Sequence, residues 1–102
     1  MHYLLMYDVT HDYVTARAPY RKSHLLHAMA AHQRGEIILA GALANPADGA
    51  ILVFECDSAK IPEDFAKADP YVINGVVTKW RVREWTTVVG DKPSVRVDPN
   101  SL

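Results

Sequence analysis

Four side chains able to hold or move a proton or an anion fall within one stretch of the chain: Arg21, His24, His27 and His32. An imidazole changes charge near neutrality and serves as acid or base, while a guanidinium is a permanent cation suited to an anionic or enolate oxygen. At helical spacing Leu25, Ala28, Met29 and His32 share one side, with Arg21 close beside them. His24 lies at the edge of that side, over Ala28, and His27 falls further round, toward solvent. The spacing does not suit a metal: no carboxylate or thiol on the segment completes a ligand set, and there is no HExxH motif. An isolated histidine at such a boundary is more often a hydrogen-bonded or surface residue than a catalyst, so the segment alone leaves both readings open.

A second cluster is Ala66-Lys67-Ala68-Asp69-Pro70-Tyr71-Val72-Ile73-Asn74-Gly75. Asp69 falls where a helix must break, because the residue before a proline disfavours helical dihedrals. Its side chain can project from the break, and Tyr71 follows the fixed proline bend. Asp before Pro is also a common turn, so a purely structural role stands beside the chemical one. Cys56, the single cysteine, forms no internal disulfide and ends an apolar strand, where a thiol is expected to be inert. No phosphate-cradling glycine loop, GxSxG elbow or paired aromatic set for RNA is present. The sequence implies no metal and no cofactor.

These residues need elements to position them. His2 to Val9 is apolar and β-prone and predicts a largely buried strand. Arg17 to Arg34 favours a helix that begins near Pro19 and is stopped by Gly35. Glu36 to Leu43 predicts a second strand with a close-packing Gly41, and Asn45-Pro46-Ala47-Asp48-Gly49 turns it into a third strand over Ala50–Cys56. Ser58 to Ala68 reads as a short helix with Pro62 in its first turn. Val76 to Trp85 is a fourth strand, with Val76, Thr78, Trp80 and Val82 opposing Lys79, Arg81 and Arg83. The order β-α-β-β-α-β predicts an α+β, ferredoxin-like fold: a four-stranded antiparallel sheet with two helices on one face. The other face is left bare unless something covers it. Residues 1–90 are expected to form the domain, and 91–102 a polar, proline-interrupted tail prone to fraying.

Composition bounds the partners. The 102 residues allow one domain on the prior of about 150 residues each. Eleven basic against twelve acidic residues give a formal charge of −1, without the basic excess that drives binding to nucleic acid or an anionic membrane. An apolar share of 49% is enough for a core. No signal-like or membrane-spanning run occurs, and a cytoplasmic location is expected. A domain this small is often completed by a second copy.

Arg21-Lys22-Ser23-His24-Leu25 resembles the RxxHL signature of the YCII-related (YciI-like) proteins. Ala68-Asp69-Pro70-Tyr71-Val72, followed by Gly75-Val76, resembles the family's ADPYV…GV motif. Gly41-Ala42-Leu43 is similar to its GPL or GPM segment, with Ala42 in place of the usual proline. The resemblance runs from about residue 2 to residue 87, in the same element order. It implies the dimeric α/β-barrel version of the fold, in which two sheets pack face to face, as a homodimer or a higher oligomer. It also implies a His–Asp active centre, carried here by His24 and Asp69. Some similar proteins are dehydrochlorinases, and relatives with the same barrel are isomerases or monooxygenases.

On that basis Asp69 would fix the tautomer of His24 and raise its basicity, opposed by the nearby helix N-terminus. Arg21 would hold an anionic or enolate oxygen, and Tyr71 would donate a hydrogen bond or stack on a ring. The expected function is proton transfer on a small organic, aromatic or lactone-like metabolite, of lyase (dehydrochlorinase) or isomerase type. The alternatives are a non-catalytic small-molecule-binding module and an accessory dimerisation module. A His24–Asp69 hydrogen bond in a concave pocket separates the first from a structure in which these side chains point apart into solvent.

Overall fold

The strand β1 (His2–Val9) lies inside the sheet, paired antiparallel with β3 (Gly49–Glu55) on one side and β4 (Val77–Trp85) on the other. The remaining strand, β2 (Ile37–Ala42), pairs antiparallel with β3, giving the order β2-β3-β1-β4. These relations come from a computed structural model that describes all 102 residues. Alternation along β1 decides which face is core. Tyr3, Leu5 and Tyr7 are buried, and their cross-strand partners Phe54, Leu52 and Ala50 are buried with them. The intervening Leu4 and Met6 pair with Val53 and Ile51 on the opposite face, where they are only partly covered.

Helices cover the Tyr3–Leu5–Tyr7 face. They are α2 (Arg21–Gln33), set against β2, and α3 (Lys60–Ala68), set against β1. The second buries Pro62, Phe65 and Ala66, with the Phe65 ring edge-on to Phe54 at 5.5 Å between centroids. The long helix buries only Ala31 fully, because its Leu25, Met29 and His32 side lines an open concavity.

The expected α+β, ferredoxin-like, four-stranded antiparallel fold with both helices on one face is present. Its details differ in four places. First, the long helix starts at Arg21, after α1 (Tyr13–Ala16) and a 3-10 turn (Ala18–Tyr20). Pro19 lies inside that tight turn, so residues before Arg21 do not extend the α-helix. Its end is as expected: Gly35 has φ 81°, with Glu36 N–H donating to Ala31 C=O and Gly35 N–H to His32 C=O, a Schellman closure. Second, Asp69-Pro70 both ends α3 and begins another helix, α4 (Pro70–Ile73). Third, β4 starts at Val77 rather than Val76. A register irregularity between Asp8 and Val9 lets both valines be buried and leaves Thr78 exposed. Fourth, Gly41 is not close-packed. It lies on the edge strand, where an added Cβ would meet nothing within 4 Å. The tight position is Gly49, where a Cβ would lie 3.1 Å from the Tyr7 carbonyl oxygen.

The segment after Gly90 touches the start of the chain. Ser94 Oγ accepts from the backbone N–H of His2 at 3.2 Å, and the His2 ring contacts Thr87 Oγ1 and Glu55 Oε2. A second 3-10 turn, Pro99–Ser101, begins with the Asp98 carboxylate accepting from Asn100 N–H. No helix of the chain is long and apolar enough to cross a membrane.

Candidate functional site

Asp69 is the pivot of the site, and its backbone explains why. It is extended (φ −72°, ψ 123°), caps α4 by accepting from Tyr71 N–H at 3.0 Å, and precedes a proline at the first helical position. This places its carboxylate under the sheet and helices with no exposure at all. A buried carboxylate must be satisfied by donors. Besides Tyr71 N–H it accepts from the Tyr7 hydroxyl at 2.7 Å, while His24 Nδ1 lies 2.8 Å from Oδ1 and 3.0 Å from Oδ2. Burial first, and then the Asp69 charge, push the Tyr7 phenol far above its ordinary range. Tyr7 therefore stays a donor.

A carboxylate only accepts, so the Nδ1 contact assigns the hydrogen of the neutral imidazole to Nδ1. The lone pair is then on Nε2, which has no partner within the chain. The ring is fixed on a second side by Tyr71, stacked at 3.8 Å between centroids and 6° between planes. Tyr13 meets Tyr71 edge-on at 6.2 Å, and the Arg17 guanidinium sits 4.8 Å over the Tyr13 ring. Arg17, Tyr13, Tyr71 and His24 thus form a chain of face and edge contacts that ends on the imidazole.

His24 lines a cavity of about 640 Å³, partly open to solvent, whose wall is thirteen hydrophobic residues out of eighteen. That volume and the mainly apolar wall suit a small organic molecule. Arg21 and Tyr71 also line it, so the four residues singled out in the sequence, His24, Asp69, Arg21 and Tyr71, are brought to one place. Tyr71 is buried and stacks on the imidazole itself, and burial raises its pKa against the opposing pull of Arg17 and Arg21.

The other histidines go elsewhere. His27 does not face solvent as expected. Its Nε2 lies 3.0 Å from the Phe65 carbonyl oxygen, and its ring stacks on Phe65 at 4.1 Å. The reason is that α3 packs beside α2 on the same face of the sheet, which helical spacing alone does not reveal. His32 lines the cavity and binds the Ile37 carbonyl oxygen through Nδ1 at 2.7 Å. Cys56 keeps a thiol pushed up by burial.

Tyr7, Tyr13 and Arg17 were not singled out by sequence. Tyr7 carried a signal in its alternation with Tyr3 and Leu5, which puts it on the buried face. Arg17 lies one turn-length before Arg21, but the intervening 3-10 turn hides their common side.

A model of the YCII-related domain matches residues 1–86. No curated protein matches by sequence. Among solved structures, 5-chloro-2-hydroxyhydroquinone dehydrochlorinase from Burkholderia phenoliruptrix AC1100, in complex with 2,5-dihydroxybenzoquinone, superposes with a TM-score of 0.72 at 18% identity, covering 85% of this chain and 95% of its own. At that identity the likeness shows the fold, a four-stranded antiparallel sheet with helices on one face.

Proposed function

The chain belongs to the YCII-related family, and from that premise we propose that it transfers a proton to or from a small organic molecule held against His24. One observation carries this reading: the imidazole is tied through Nδ1 to a fully buried carboxylate and presents a cavity with an unpartnered Nε2. Asp69 holds the tautomer and offsets the positive charge that forms when Nε2 takes a proton. Tyr7 and Tyr71 keep that pair from rotating. Arg21 faces the developing negative charge from the cavity wall. The chemistry is a lyase-type elimination or an isomerisation, since both begin with removal of a proton beside an activating group. A solved structure of the same fold is a dehydrochlorinase bound to a small cyclic molecule, and this supports the lyase form.

The protein is proposed to work as a homodimer, because no helix of its own chain packs over the sheet face that carries Leu4, Met6, Ile51 and Val53, and only the segment around Thr87 and Ser94 reaches the His2 end of that face. A cytoplasmic location and a boundary near residue 90 belong to the same proposal.

The test is chloride release from chlorinated hydroxyhydroquinones and deuterium uptake into enolisable lactones, comparing wild type with His24→Gln. Wild type is expected to act on one class, and His24→Gln to lose about a hundredfold or more. Activity unchanged in His24→Gln overturns the proposal. Binding of these compounds without any turnover converts the site into a binding module.

A further inference from the structure

The lining of the cavity carries charge of only one sign. Of its eighteen residues none is acidic, and the ionisable ones besides tyrosines are Arg17, Arg21, His24 and His32. Asp69 sits behind the imidazole and does not reach the lining. Of the nine other Lys and Arg side chains three pair with a carboxylate, Arg34 with Glu36, Lys60 with Asp64 and Arg81 with Asp8 at 2.9, 2.6 and 3.8 Å, and the unpaired ones lie away from the cavity. The guanidinium groups of Arg17 and Arg21 have no carboxylate within ion-pair distance and donate no hydrogen bond within the chain, although Arg17 is half-buried.

Arg17 is also held in place. Its guanidinium rests over Tyr13, which meets Tyr71, which stacks on His24, so its distance from the imidazole is set by three aromatic contacts. A guanidinium whose flat face is occupied by a ring still has its N–H edge free to donate. Both arginines line the same cavity as His24 and Tyr71. The first turn of α2 carries no acidic residue to neutralise its positive end.

We infer that the cavity selects a ring-bearing organic anion, and that Arg17 together with Arg21 grips its carboxylate or enolate oxygen while the ring lies against the apolar wall beside His24. This rests on the proton-transfer reading and adds the substrate class and Arg17 as a specificity residue. An anionic group gripped there orients the ring, so that one carbon is offered to Nε2 and the others are not.

Benzoate and its neutral isostere benzamide are the probes, titrated by calorimetry and by ¹H–¹⁵N NMR of the intact chain. Benzoate is expected to bind in the cavity at least tenfold tighter than benzamide, and to weaken as salt is raised. Arg17→Gln and Arg21→Gln are each expected to weaken benzoate about tenfold and to leave benzamide unchanged, with Arg17→Lys restoring part of the loss. Equal binding of the two probes overturns the inference, as does failure of benzoate to bind at millimolar concentration. Indifference of benzoate to Arg17→Gln removes Arg17 from the site. The His24→Gln variant keeps the two readings apart. Arginine-dependent benzoate binding with no proton transfer in wild type sinks the function and leaves the anion site standing. His24-dependent turnover of neutral compounds does the reverse.

Discussion

Tyr7 ties the candidate base to the stability of the whole chain through a single hydroxyl. Its phenol is raised far above the usual value near 10, first by burial and then by Asp69, so its folded form holds the proton more tightly than the unfolded chain does. A raised folded pKa gives stability that is complete below about pH 10 and is lost as pH climbs above it. Wild type is therefore expected to lose stability above about pH 10 with a contribution near 1.4 kcal/mol per pH unit from this group. Tyr7→Phe should flatten that part of the curve, as read by urea denaturation across an alkaline series. The carboxylate it serves is the larger risk. Asp69→Ala strands the Tyr7 hydroxyl, the Tyr71 N–H and His24 Nδ1 in the interior, and should cost about 3–5 kcal/mol in the same assay. At this scale His24, Asp69, Arg21 and Tyr71 were legible because their residue types stand in motifs. Tyr13 and Arg17 were not, because their roles come from ring-to-ring contacts made only after folding.

Among the elements, the DPY segment shows what a pattern can hide. Asp before Pro was read as a helix stop, yet the same pair is a helix start, with the carboxylate as cap and the proline at the first position. Both readings are true of residues 68–73, and only the second explains why Asp69 points inward. Glycines show the opposite error. Gly41 and Gly49 look alike in the sequence, each next to a strand of small and branched residues. On edge strand β2 the first has open space, while the second lies beside the β1 backbone at Tyr7. Gly49→Ala should therefore cost about 1–3 kcal/mol and disturb the Tyr7–Asp69 bond, whereas Gly41→Ala should stay within about 0.5 kcal/mol of wild type. Paired thermal or urea melts of the two variants check this. Equal effects would mean that β1 yields at Tyr7 without loss.

For the whole molecule, shape carries the argument. A compact chain of this length has a radius of gyration near 13 Å. This one has 14.9 Å, with extents of 51 × 29 × 19 Å. The shortest extent is the thickness of one sheet and one helix layer, so no second helix layer lies on the far side, where only the segment around Thr87 and Ser94 covers the His2 end. The uncovered side carries Leu4, Met6, Ile51 and Val53 across β1 and β3, with Leu39 beside Val53 on β2 and Arg81 and Arg83 opposite Met6 and Leu4 on β4. An apolar centre with a charged rim is how a face that meets another protein is built. The strand order made this bare face legible in the sequence, and alternation along β4 set Lys79, Arg81 and Arg83 on one side, but which β1 residue each one meets came only with the register. The proposed dimer stacks two such faces, so the centre should control assembly and the helix side should not. Wild type is expected to sediment at twice its 11.4 kDa mass at micromolar concentration. Introducing Ile51→Lys with Val53→Lys should give a monomer with an unchanged far-ultraviolet dichroism spectrum, because both side chains point away from the chain's own core. Leu26→Lys, on the exposed outer side of α2, serves as the matched control and should remain dimeric. A dimer that survives the double substitution would place the contact elsewhere.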